Sequence, residues 1–129
     1  QRGRLPWPVV GRVEVPFGKK VDPDSGMVLL SRGLDIRAHL SAPVRAVFPG
    51  RVVYAASRAG FGRLAIVDHG GFYTLYAHLE SFAVRAGDPV AAQQVLGHVG
   101  DSGSTKGAYL YFEIRKGRDP VDPIRWLAP

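Results

Sequence analysis

The chain has no cysteine. That removes disulfides, thiolate zinc sites and a cysteine nucleophile, but leaves the compartment open, since cysteine-free domains occur on both sides of a membrane. No apolar run approaches the roughly 20 residues of a spanning helix, and no membrane contact by this domain is expected. The sequence opens on Gln1, without a methionine or a recognisable signal peptide, so we expect a piece of a longer or processed chain. Lysine is scarce, four residues against thirteen arginines. Glycine and proline, in contrast, number sixteen and ten, which favours short strands joined by frequent turns. At 129 residues, with 46% hydrophobic and 22% charged, the length and balance fit one globular domain and exclude wholesale disorder. The net charge of +6 is uneven: residues 1–63 hold eleven Lys/Arg against four Asp/Glu, and residues 64–129 hold six against seven. An anionic partner and a genome-wide preference for arginine explain this equally well.

The most regular stretch is Gly107 to Arg115. Tyr109, Tyr111, Glu113 and Arg115 alternate with Leu110, Phe112 and Ile114, a period of two that predicts a strand with one buried and one presented face. Upstream, residues 1–8 read as a linker docked by Trp7, because Pro6 and Pro8 forbid regular pairing. Val9 to Phe17 is strand-like, and Asp22-Pro23-Asp24-Ser25-Gly26 forms a turn before the apolar Met27 to Leu30. Arg63 to Asp68 is nearly all apolar and reads as a central strand. Gly70-Gly71 predicts a hairpin to a partner strand, Phe72 to His78. Simple alternation puts His78 on one face with Phe72, Thr74 and Tyr76, and Tyr73, Leu75 and Ala77 on the other. Asp122-Pro123 marks a last helical turn, aspartate as N-cap and proline first inside it, with Trp126 and Leu127 closing the core. Helix is otherwise nearly absent, so the expected fold class is all-β.

A hydrolytic zinc needs convergent nitrogen or oxygen ligands and an open position for water. The four histidines, His39, His69, His78 and His98, show neither a His-x-His on a strand nor a His-Glu-x-x-His on a helix. His69 reads as a turn-stabilising hydrogen-bonder and His98 as structural or solvated. Ser102 and Ser104 lie in a flexible loop without a nucleophile elbow, and Lys106 follows Thr105 in an order no phosphate loop uses. Glu113 on the tyrosine face disfavours a phosphate track, so nucleic acid is not an expected partner. Read from the residues alone, this is a binding module more than an enzyme.

A set of ordered motifs then carries a resemblance. Phe17-Gly18, Gly33-Leu-Asp35-Ile, Ala42 to Gly50, Val67-Asp-His-Gly70, Tyr76-Ala-His78-Leu, Val84-x-Ala-Gly87-Asp-x-Val90, Gly97-x-Val-Gly100 and Leu110-x-Phe-Glu113-Ile-Arg115 follow the order of lysostaphin-type (LytM) peptidoglycan endopeptidases. The likeness runs from about Trp7 to Leu127. It implies a duplicated-hybrid-motif fold of antiparallel β-sheets forming a groove, with residues 9–129 as the domain. Active members hold zinc through His-x-x-x-Asp and the second histidine of His-x-His, and handle water with two further histidines. On this chain those positions are Ser31, Asp35, Tyr109 and Tyr111, with His78 as the retained water-handling histidine. Two of three ligands are therefore replaced, and a phenol with an unperturbed pKa near 10 substitutes poorly for imidazole; rescue by His39 or His69 would need a coincidence of geometry. The expectation is no catalytic zinc and no cofactor.

The altered motif resembles the degenerate LytM domains of EnvC-like murein hydrolase activators, which follow a coiled coil in the Gram-negative periplasm. That resemblance implies a partner, a zinc-dependent N-acetylmuramoyl-L-alanine amidase, and a binding groove of Arg32, Tyr109, Tyr111, Glu113 and Arg115, with Glu113 holding Arg115. Asp35 and His78 are retained, which such activators need not keep. A peptidoglycan-binding module and a zinc endopeptidase with an atypical ligand set are the alternatives.

Overall fold

The computed structural model describes residues 3–129. In chain order the strands are β1 (Arg12–Val15), β2 (Gly18–Val21), β3 (Val28–Ser31), β4 (Leu34–Arg37), β5 (Pro43–Arg45), β6 (Gly50–Arg58), β7 (Gly62–Asp68), β8 (Tyr73–Phe82), β9 (Pro89–Val90), β10 (Val95–Val99), β11 (Tyr109–Lys116) and β12 (Asp119–Val121). A single 3-10 turn, Pro123–Arg125, follows, with the Asp122 carboxylate accepting from the Ile124 amide at 3.1 Å. One antiparallel sheet runs β1-β4-β11-β8-β7-β6-β9; β10 pairs with both β5 and β8, and β12 with β11. β2 and β3 form a separate two-stranded ribbon. The domain is all-β, as its glycine- and proline-rich composition requires.

Alternation decides which side chains enter the core. Leu34 and Ile36 from β4, Leu110, Phe112 and Ile114 from β11, and Tyr76 from β8 are wholly buried on one side of the sheet. On the other side Leu64, Leu75 and Ala77 make a smaller cluster with Phe61, Ile66 and Tyr111 packed against it. The apolar run in β7 is explained by this arrangement: Ala65 and Val67 face the main core, Leu64 and Ile66 the smaller one.

Two local irregularities re-aim side chains. In β8 the register against β7 slips between Ala65 and Arg63, which face Tyr76 and Leu79, and His78 inside that step has φ 64°. This β-bulge turns His78 off the Thr74–Tyr76 face and onto the Tyr109–Tyr111 face, correcting the placement expected from simple alternation. In β1 the partners of Val13 and Val15 are consecutive residues, Ile36 and Asp35, so Glu14 is the extra residue of a second bulge. Gly62 (φ 64°) sets the neighbouring loop: a Cβ there would lie 2.0 Å from the Ser102 carbonyl oxygen.

Residues 3–8, expected as a linker docked by Trp7, pack against the body of the domain, and Leu5 docks along with Trp7. Leu5 is 1% exposed, its amide donates to the Trp126 carbonyl and its own carbonyl accepts from Ala128. The Trp7 indole donates to the Ala128 carbonyl at 2.8 Å. Apolar burial wins over the prolines because a bridge needs only these isolated bonds, not a continuous ladder. Residues 1–2 of the expected linker lie outside the described residues.

Beneath the sheet a polar chain links Val47 N–H to Tyr76 OH (3.3 Å), Tyr76 OH to Thr74 Oγ1 (2.8 Å), Thr74 Oγ1 to His69 Nε2 (2.7 Å) and His69 Nδ1 to the Pro49 carbonyl (2.9 Å). A neutral His69 protonated at Nδ1 gives each link one proton, and burial holds its pKa below the ordinary value. Because the folded form resists protonation, the unfolded chain binds more protons as acid is added. Stability from His69 is therefore complete above about pH 6.5 and declines as pH falls through the depressed folded value. Denaturant titrations of wild type and His69→Asn across pH 5–7.5 should show this decline in wild type and a shallower one in the variant. Leu5→Ala should cost about 2–5 kcal/mol in the same assay.

Candidate functional site

β11 is paired on both edges, and its register builds the site. Tyr111 lies opposite Asp35 of β4 and Ala77 of β8, while Tyr109 lies opposite Arg37. Asp35, Tyr109, Tyr111, Glu113 and Arg115 thus share one face. His78 joins them through its bulge, and Arg32 stands at the edge. Together with Phe61 and Gly60 these residues line a cleft of about 320 Å³. It continues through Arg32, Asp35 and Tyr111 into a larger groove of about 750 Å³ walled by β2 and β3, with Phe17, Lys19, Leu29 and Leu30 among its lining.

The strand's presented face is less open than its alternation suggests. Glu113 is 1% exposed. Its two carboxylate oxygens accept from Tyr111 OH at 2.5 Å and from Arg115 Nε at 2.6 Å. Stripping a partner from a buried charge costs roughly 3–5 kcal/mol, whereas an exposed pair such as Arg12–Glu14 at 4.0 Å contributes about 0–1 kcal/mol. Glu113 is therefore the fixed point that sets both Tyr111 and Arg115. Only Nε of Arg115 is engaged by Glu113, so its outer guanidinium edge is left to the cleft.

Each position that the resemblance assigns to metal chemistry is already committed. Ser31 Oγ donates to the Gly33 carbonyl at 2.8 Å. His78 Nδ1 lies 2.7 Å from the Ser102 carbonyl, so Nδ1 donates, and Nε2 accepts from Tyr109 OH at 2.9 Å. Asp35 Oδ2 accepts from Lys106 Nζ at 2.6 Å. Burial raises the pKa of Tyr109, and burial with the Glu113 hydrogen bond raises that of Tyr111 further. Zinc would need the phenol at the ligand position, Tyr111, as a phenolate, and its surroundings favour the protonated form. A donor set of one alcohol, one such phenol and one lysine-paired carboxylate does not fit a tetrahedral zinc site, and the water-handling position holds a second phenol, Tyr109. His39 and His69 do not supply the missing ligands: His69 is spent on Pro49 and Thr74, and His39 lines a separate surface depression with Val10 and Arg12. Among the described residues, no three His, Cys, Asp or Glu side chains cluster as a metal site.

Three participants were not placed at this site by the sequence, in which Ser102 and Lys106 stood only as candidates for other chemistry. Lys106 comes from the loop before β11, Glu14 from the bulge in β1, and Ser102 sits under His78 with its hydroxyl donating to the Leu79 carbonyl. Glu14 binds Lys106 Nζ at 2.9 Å and is gripped by Arg37 through Nε (3.1 Å) and Nη2 (2.8 Å). The Arg37 and Lys106 hydrogen bonds hold its pKa down to about 2. No local motif announces any of the three, since each reaches the site through a bulge or a loop.

Comparison with known proteins places this geometry. The model of peptidase family M23 matches residues 30–123. Among curated relatives, the DD-carboxypeptidase/endopeptidase Mpg of Neisseria meningitidis is 34% identical over 94% of the chain and 28% of its own length. The murein hydrolase activator EnvC of Escherichia coli is 35% identical over 98% of the chain and 29% of its own length. The lipoprotein NlpD/LppB homolog of Pseudomonas aeruginosa is 39% identical over 97% and 40%. The chain thus spans between about a quarter and two fifths of these relatives. Among solved structures, a zinc-containing peptidase from Vibrio cholerae superposes with TM-score 0.86 at 26% identity, covering 99% of this chain and 41% of that one. Lysostaphin from Staphylococcus simulans superposes with TM-score 0.80 at 22% identity, covering 98% and 53%. By its sequence motifs, its sheet order and these matches, the chain belongs to peptidase family M23 and carries the lysostaphin-type (LytM) fold.

Proposed function

We propose that this domain is a non-catalytic LytM factor that binds and activates a zinc-dependent N-acetylmuramoyl-L-alanine amidase during cell-wall remodelling and cell separation. The observation that carries this reading is the prior commitment of every metal-ligand position, Ser31 to Gly33, Asp35 to Lys106 and Tyr111 to Glu113, and of the water-handling position, Tyr109 to His78. Without a metal, what remains is a groove with aromatic anchors and two arginines, Arg32 and Arg115. Its outer wall is apolar at Leu29 and Leu30 of β3, both more than half exposed, Leu30 to 70%. Tyrosine and arginine at the centre with an aliphatic wall beside them suit an amphipathic helix bearing carboxylates. Similarity to EnvC and to the NlpD/LppB homolog supports the activator reading. The Gram-negative sources of these relatives support a periplasmic setting, and an upstream coiled coil belongs to the same proposal.

Similarity to Mpg and the retained Asp35 and His78 favour a second reading, a zinc endopeptidase with an atypical ligand set. The passive alternative is a peptidoglycan-binding module that contacts the wall without acting on an amidase. Elemental analysis of the purified chain separates the zinc endopeptidase from the other two: we expect no stoichiometric zinc and no chelator-sensitive cleavage of peptidoglycan. In pull-downs with a cognate amidase, Arg115→Glu and Arg32→Glu should each weaken capture at least tenfold, with peptidoglycan sedimentation measured in parallel. Arg32 is exposed, so its variant keeps the fold intact; unchanged capture by both variants would remove the groove from the proposal.

A further inference from the structure

Asp35 keeps the acidic position of the family's metal site, yet its partner here is an ammonium group. Lys106 Nζ stands 2.6 Å from Asp35 Oδ2, 2.9 Å from Glu14 Oε1 and 4.4 Å from the centre of the Tyr109 ring. Two carboxylates and an aromatic face are the surroundings a compact cation prefers. The lysine is delivered by design of its loop. Ser104 Oγ accepts from the Lys106 amide and donates to the Gly107 carbonyl, and Arg37 Nη1 donates to the carbonyls of Lys106 and Ala108. The arginine that orients Glu14 therefore also clamps the backbone carrying Lys106.

A lysine on a surface loop ordinarily keeps its stem mobile and its charge in water, because fixing that stem costs rotamer entropy. Here it is fixed by three groups on three strands, Glu14 of β1, Asp35 of β4 and Tyr109 of β11. Coulomb attraction at these distances, only partly screened since the Asp35 side chain is 16% exposed, supplies the compensation. The same charge works against any second cation. A divalent ion brought to Asp35 would meet the ammonium at near contact and Arg37 behind it.

We propose that Lys106 is the resident cation of the former metal site: it neutralises Asp35 in place of a divalent ion and excludes such an ion from the groove. Lys106 is on this view a positioning residue. It ties the loop before β11 to β1 and β4, fixes the Tyr109 ring, and makes the shape of the groove independent of metal supply. The inference rests on the non-catalytic reading of this site but not on which partner fills the groove.

The test is zinc affinity by competition with a chromophoric chelator, on the full 129-residue chain. Histidines are restored by Ser31→His, Tyr109→His and Tyr111→His, with Lys106 kept or changed by Lys106→Met or Lys106→Arg. The chain with Lys106→Met should bind zinc at least tenfold more tightly than the chain that keeps Lys106. Lys106→Arg should behave like lysine, which a role in packing the loop would not produce. In the unrestored background neither wild type nor Lys106→Met should hold stoichiometric zinc, since Ser31 and Tyr111 supply no ligand; where the triple variant folds poorly, the double restoration Ser31→His with Tyr111→His carries the same comparison with and without Lys106. Equal affinity with and without Lys106 in the restored chains overturns the proposal while leaving the non-catalytic reading in place. Stoichiometric zinc in wild type overturns both.

Discussion

The pairing of β11 on both edges is the constraint from which the rest of the site follows. A strand held between β4 and β8 has no freedom to slip, because a shift of one residue would send Leu110, Phe112 and Ile114 out of the core. Once that register is set, Tyr111 must stand between Asp35 and Ala77, and Glu113 must enter the interior. A buried carboxylate then dictates its own company: Tyr111 and Arg115 are positioned by Glu113's need for donors. The groove's chemistry is in this sense a consequence of core packing on the opposite face.

The relation to the zinc peptidases can be stated in terms of charge. The family's active site concentrates positive charge in one ion. In this chain, positive charge near Asp35 is distributed between Lys106 and Arg37, and the hydroxyl groups of Ser31, Tyr109 and Tyr111 turn to neighbours of their own. Such partners bind each other more weakly than a metal binds its ligands, but each is covalently part of the chain and needs no supply from outside. The cleft is lined by hydrogen-bonded side chains at Asp35, Tyr109 and Tyr111.

The sequence disclosed those parts of the fold whose cause is local. Alternation in β11, the Gly70-Gly71 hairpin and the Asp122 cap are each written within a few residues, and the structure contains all three. His78 was legible as a site residue from its motif, but its face was not. A bulge adds one residue to the count, and period-two reasoning then gives the wrong side. Glu14 was hidden by the same device, and Lys106 by distance, since 71 residues separate it from Asp35. Leu29 and Leu30 are the opposite case, apolar strand residues that stand exposed along the groove and do not enter the core. Leu5 lies buried in a stretch whose prolines suggest a tether.

That last contact has a mechanical side. Leu5 and Leu127 pair in parallel, and the Trp7 indole reaches the Ala128 carbonyl beside them. In a parallel pair, tension drawn through the N-terminal side of one segment and the C-terminal side of the other runs along the strand axis in opposite directions. The bonds joining Leu5 to Trp126 and Ala128 then share the load in shear and do not open one at a time like a zipper. A domain pulled by its two ends would yield only when this clasp fails as a unit, with the groove on β11 held in register until it does.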